Sequence, residues 1–72
     1  MEIIKQGISK SNKKISVKSH VVPNGGCYLS LCEEYVLYCD DIEILKIKEY
    51  AFDKSGEEKR FILEVFEKML LI

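Results

Sequence analysis

The sequence contains no tryptophan, a single histidine (His20), a single proline (Pro23) and an odd number of cysteines, Cys27, Cys32 and Cys39. Each shortage excludes something. With one histidine, no tryptophan and a small core, there is little material for a substrate pocket of several hundred Å³. Three thiols cannot close into a complete intramolecular disulfide set, whereas small secreted domains carry dense, even frameworks. The cysteines are therefore expected to be reduced and the chain cytoplasmic. No apolar run approaches the ~20 residues of a bilayer-spanning helix. Residues Met1 to Gly7 carry Glu2 and Lys5 where a signal peptide would have its apolar segment. No membrane partner is expected. The formal charge of −1, from 11 basic and 12 acidic side chains, removes the simplest case for a polyanion-binding protein.

Seventy-two residues suit one domain with a small core. A chain of roughly 60 residues buries only about 60% of the surface its unfolded form exposes. The 47% apolar fraction is still that of a folded protein and argues against disorder.

The pattern along the chain predicts an α+β fold. Residues 2–8, with their β-branched side chains, read as a strand. Ser9 to Lys14 (SKSNKK) has no apolar anchor and reads as a loop. From 15 to 22 the period is two, with Ile15, Val17, Ser19 and Val21 on one face and Ser16, Lys18, His20 and Val22 on the other. Pro23-Asn24-Gly25-Gly26 follows with hairpin-turn chemistry: Pro presets φ, and Asn and Gly accept the next positions. Residues 27–39 fit either a helix or two strands, 27–32 and 35–39, turning at Glu33-Glu34. Tyr28, Tyr35, Val36 and Tyr38 favour strands. Asp40-Asp41 is a turn, and 42–52 a longer strand. The apolar phase of that strand slips from Ile42 and Ile44 to Leu45 and Ile47, which predicts a bulge near Ile44–Leu45 or burial on both faces.

The last element is an amphipathic helix over about 56–71. Ser55-Gly-Glu-Glu58 has the form of a capping box. Phe61, Ile62, Val65, Phe66, Met69 and Ile72 recur at helical spacing, Glu57 and Glu58 sit at the positive end of the dipole and Lys68 near the negative end. Glu64–Lys68 is a favourable i, i+4 pair. The expected architecture is a small antiparallel β-meander of four to five strands, with closure into a partial barrel as a variant, and one C-terminal helix packed on it. Leu63, Leu70 and Leu71 widen the apolar stripe beyond what so small a sheet should cover, and mark a surface for homo-oligomer formation.

No catalytic constellation emerges. His20 and Cys27 would be the sole candidates for a nucleophile and its base, and no third orienting group or oxyanion pocket accompanies them. His20 with Cys27, Cys32 and Cys39 supplies four ligand atoms for zinc. The spacings Cys-x4-Cys-x6-Cys are wrong for the usual knuckle, so no metal is expected. Gly25-Gly26 does not open a helix and makes no phosphate cradle. No cofactor is implied, and the expected role is non-enzymatic.

Charge is more informative. Residues 1–20 carry five lysines against Glu2, a net +4, and residues 21–72 six basic against eleven acidic groups, a net −5. Two docking readings follow. The segment with Glu33, Glu34, Tyr35, Tyr38, Asp40 and Asp41 would face a protein partner with a basic surface, since tyrosine buries area while keeping its hydroxyl bonded. The loop with Lys10, Lys13, Lys14 and Lys18 would instead hold nucleic-acid phosphates. The first leads. It makes the chain a small intracellular binding protein that regulates or inhibits a macromolecular partner by surface docking, of the kind mobile elements and phages direct at host proteins.

Overall fold

The computed structural model describes residues 1–23, 31–50 and 56–72. Four strands, β1 (Glu2–Ile8), β2 (Lys14–Pro23), β3 (Leu31–Cys39) and β4 (Ile42–Tyr50), precede one helix, α1 (Glu57–Leu70). The strands form an antiparallel meander in the order β1-β2-β3-β4. The sheet is open: β1 and β4 are its edges, and it does not close into a barrel.

Of the expected four to five strands, four are present among the described residues. Residues 27–32 and 35–39 were to turn at Glu33-Glu34, yet both glutamates lie within β3 and pair with Val21 and His20 of β2. The strand survives this polar pair because His20 supplies a partner across the ladder. Over 31–39 the chain is one strand, without the helix or the turn at Glu33-Glu34. Pro23 is the last residue of β2, and the rest of the Pro23-Asn24-Gly25-Gly26 turn lies outside the described residues, as does Cys27.

β1 and β2 are joined by a turn in which the Asn12 amide donates to the Ser9 carbonyl at 2.9 Å. Asn12 adopts φ 65°, a conformation that asparagine tolerates. Asp40 and Asp41 join β3 to β4 with φ of 51° and 68°. That positive sign at both central positions is what a two-residue type I′ hairpin requires. The slip in β4 is a bulge. Leu37 pairs with Leu45 and Tyr38 with Glu43, leaving Ile44 as the extra residue. A second irregularity interrupts β1, where Ile3 pairs with Lys18 and Lys5 with Val17, passing over Ile4.

The helix lies on one face of the sheet. Ile15, Val17, Tyr35, Leu37, Ile62 and Phe66 form the buried core, with Ile4, Cys39, Leu45, Ile47, Leu63, Val65, Met69 and Leu70 packed against it. Leu63 and Leu70 are therefore partly buried in this packing. A Cβ on Gly7 would stand 3.1 Å from a Leu70 methyl, so a side chain there would press on the docked helix. Of the three leucines singled out, Leu71 alone is exposed. Phe61 and Ile72 of the helical pattern are exposed as well, and Ile72 lies past the helix end.

The helix starts one residue later than a Ser55 cap would place it. Gly56 is the N-cap, at φ 70°, with no side-chain capping bond, and Ser55 lies outside the described residues. Glu57 and Glu58 occupy the first turn and Lys68 the last, in the dipole-favoured sense. Glu64 and Lys68 do not close to ion-pair distance. Instead Glu67 accepts from Lys5 of β1 at 2.6 Å, and the same ammonium lies 5.7 Å from the centre of the Phe66 ring.

Candidate functional site

Strand parity divides the sheet into a face under the helix and a face that α1 does not cover, on which Ser16, Cys32, Glu34 and Val36 are nonetheless buried. Directly paired residues share a face, so the pairings place Ile15, Val17 and Ser19 with Cys39, Leu37 and Tyr35 under the helix. The alternate residues belong to the open face: Ile3, Gln6 and Ile8 of β1; Lys14, Ser16, Lys18, His20 and Val22 of β2; Cys32, Glu34, Val36 and Tyr38 of β3; and Glu43, Lys46 and Lys48 of β4.

This open face is built in rows. Lys18, Val36 and Lys46 form one row, and Val36 is fully buried. His20, Glu34 and Lys48 form the next. Glu34, only 8% exposed, has its carboxylate 2.7 Å from His20 Nε2. That hydrogen bond holds the Glu34 carboxyl below its ordinary value against the opposing effect of burial, and the charges of Lys46, His20 and Lys48 act in the same lowering direction. Tyr38 lies beside Lys18, whose ammonium is 4.9 Å from the ring centre, and its hydroxyl donates to Met1 Sδ at 3.6 Å. Glu43 reaches Lys46 at 3.3 Å.

Charge segregates by face as well as by position along the chain. The open face holds Lys14, Lys18, Lys46 and Lys48 against Glu34 and Glu43, a net +2 before His20 is counted. The helix and the face it covers hold Lys5, Lys59, Arg60 and Lys68 against Glu2, Glu33, Glu49, Glu57, Glu58, Glu64 and Glu67, a net −3.

The lysine-rich loop is split by this geometry. Lys14 and Lys18 are on the open face, while Lys10 and Lys13 stay on the β1–β2 turn, and that turn has a structural task. The Lys10 amide donates to the Leu70 carbonyl at 3.1 Å and the Ser11 amide to the Ile72 carbonyl at 2.9 Å. The turn thus satisfies carbonyls that the helix end leaves unpaired. Cations beside a helix C-terminus are also favourable to its dipole. Within the turn, Ser9 is buried, and its hydroxyl accepts from the Lys13 amide and bonds the Ser11 hydroxyl.

The acidic and tyrosine residues expected to face a basic partner do not assemble. Glu34 is buried against His20, and Tyr35 is a core residue, 2% exposed. The Tyr35 hydroxyl donates to Glu49 Oε2 at 3.0 Å. Burial, with Glu49 and Glu33 nearby, pushes its ionisation far above the ordinary phenol range. Glu33, Asp40 and Asp41 are exposed, but Glu33 lies near the start of β3 and Asp40 just past its end, so extended chain holds them apart. Asp40 binds the start of β2 instead, its carboxylate accepting from the Lys14 amide at 2.9 Å and its own amide donating to the Lys14 carbonyl at 2.8 Å.

Nothing in this arrangement assembles a metal site among the described residues. No group of three or more histidines, cysteines or carboxylates is set to hold a metal ion. Cys32 and Cys39 are free thiols at the two ends of one strand, an odd number of residues apart, and so point to opposite faces. A shallow depression of about 360 Å³ is lined by Gln6, Gly7, Ile8 and Lys14. No helix among the described residues is long and apolar enough to cross a membrane. The residues that sequence reasoning missed are Lys46 and Lys48, whose alternation in β4 was visible but whose place beside Lys14 and Lys18 depends on the pairing. Comparison with known proteins adds no relative: no family model, no curated protein and no solved structure matches this chain.

Proposed function

We propose that the chain is a small non-enzymatic intracellular protein that docks on a macromolecular partner through the helix-free face of its sheet, and so regulates or inhibits that partner. One observation carries the reading. Among the described residues the one helix lies on one face of the sheet, and the other face carries lysines, a half-buried tyrosine and exposed isoleucines. An antiparallel sheet tolerates one solvated face, and large apolar side chains placed beside charges on such a face are the composition of a contact surface. A partner occupied this way is blocked or reshaped without any chemistry.

The test is affinity capture from the source cell, with tagged wild-type chain and a Lys46→Glu/Lys48→Glu variant side by side. A protein retained in stoichiometric amount by the first and lost by the second supports the reading. Retention of nothing at low salt overturns it.

A second reading, nucleic-acid binding by Lys10, Lys13, Lys14 and Lys18, draws on the exposure of the first three and the position of Lys14 and Lys18 beside Lys46 on one surface. It requires retention of DNA or RNA in a mobility-shift assay that weakens steeply with salt.

A further inference from the structure

We infer that the helix-free face takes an acidic protein segment that brings aliphatic side chains together with its carboxylates. This rests on the docking reading and supplies the partner's chemistry, with the opposite sign to the basic surface expected from Glu33, Asp40 and Asp41. The face's own acids are already matched: Glu34 to His20 at 2.7 Å and Glu43 to Lys46 at 3.3 Å. Among the described residues, Lys14, Lys18 and Lys48 have no carboxylate at ion-pair distance. The surplus on this face is therefore cationic, and electrostatic complementarity asks for an acidic partner.

Alongside the cations, β1 presents Ile3 at 50% and Ile8 at 60% exposure, and Ile8 borders the shallow depression shared with Gln6 and Lys14. A hydrated anion alone leaves that aliphatic surface in water, whereas a segment with its own aliphatic side chains covers it. Single-stranded nucleic acid binds sheet faces by stacking bases on accessible aromatic rings. Tyr38 on this face is half-buried beside Lys18 and does not lie open as a stacking platform. Aliphatic area with spare ammonium groups suits an acidic protein segment better than it suits bases.

The experiment is an NMR titration of the isotope-labelled full chain with three probes: a soluble Glu/Leu peptide, polyglutamate, and single-stranded oligo-dT. The Glu/Leu peptide is expected to saturate and to shift the amides around Ile3, Ile8, Lys14, Lys18 and Lys48, binding about tenfold or more tightly than polyglutamate. A Lys18→Glu/Lys48→Glu variant should weaken it by about tenfold or more, with rising salt acting in the same direction. Lys10→Glu/Lys13→Glu, on the turn, should leave it unchanged. If the charge reversal unfolds the chain, Lys18→Gln/Lys48→Gln replaces it with the same expectation. Shifts that map to the turn or to the outer side of α1 overturn the inference and leave the docking reading standing. Tighter binding of oligo-dT replaces the acidic segment by a nucleic acid. Concentration-dependent shifts of the unmixed protein on this face make a second copy its occupant and overturn the inference. No saturable binding of any probe overturns it as well, and the docking reading falls with it only when affinity capture also retains nothing.

Discussion

Glu34 concentrates the tension of this small molecule in one side chain. It stands in the middle of a strand, 8% exposed, and is tolerated because His20 meets it at 2.7 Å from the neighbouring strand. Its carboxyl is held below its ordinary value of 4.5. Below that value the unfolded chain takes up a proton before the folded one does, so stability falls as the pH drops through this range. The stabilisation is fully present near neutrality. We expect denaturation midpoints of the wild type to decline on going from pH 5 towards pH 3, a chosen window, and part of that decline to vanish in Glu34→Gln, as followed by urea titration at each pH. In the core, Phe66→Ala should cost about 3–5 kcal/mol. Against a total stability of only about 5 kcal/mol for a chain this small, the variant should be largely unfolded at 37 °C, a chosen temperature, in a circular dichroism melt. Ile15, Val17, Ile62 and Phe66 could be read as core from their periodicity. Glu34 and Tyr35 could not be read as buried, since the hydrogen-bond partner of each lies 14 residues away on another strand.

At the scale of elements, both edges of the sheet are interrupted, β1 at Ile4 and β4 at Ile44. Edge strands offer unpaired amides and carbonyls to other chains, and bulges and lysines blunt them. Deleting Ile44 would leave Glu43 opposite Tyr38 and Leu45 opposite Leu37 in an unbroken ladder. The fold should persist while the straightened edge associates more readily, which sedimentation at increasing concentration would register. The Asp40-Asp41 turn carries positive φ at both residues. Asp41→Gly should stabilise the chain by about 0.5–1 kcal/mol by removing a Cβ from that conformation; a denaturant melt measures it. The turn and the bulge were legible in the sequence from Asp-Asp and from the slipped phase of 42–47. The unbroken β3 was not, because two adjacent glutamates carry the local signal of a turn, and only a cross-strand partner reverses it.

For the molecule as a whole, the even charge total conceals two oppositely charged sides, net +2 on the open face and net −3 around the helix. The wide apolar stripe of the helix is partly turned inward, with Phe61 and Leu71 left exposed. Leu63 and Leu70 are packed against the core, and the β1–β2 turn clamps the helix C-terminus through Leu70 and Ile72. Leu70→Ala should therefore lower stability, by about 2 kcal/mol for a partly buried leucine, without changing the oligomeric state. A thermal melt paired with light scattering separates these outcomes, since an interface leucine would shift the second and spare the first.

Local pattern alone determined the fold class, the helix with Ile62 and Phe66 inward, Ile15 and Val17 of β2, the Asp-Asp turn and the bulge in β4. Each depends on neighbours within a few residues, at the periods that strands and helices impose. The strand count, the burial of Glu34, Tyr35, Leu63 and Leu70, and the composition of the exposed face were decided by the tertiary structure. They depend on which strands pair and in what register. That pairing brings Lys14 and Lys18 onto the same surface as Lys46 and Lys48, from opposite halves of the chain. It turns a lysine-rich start and an acidic remainder into a cationic face and an acidic one.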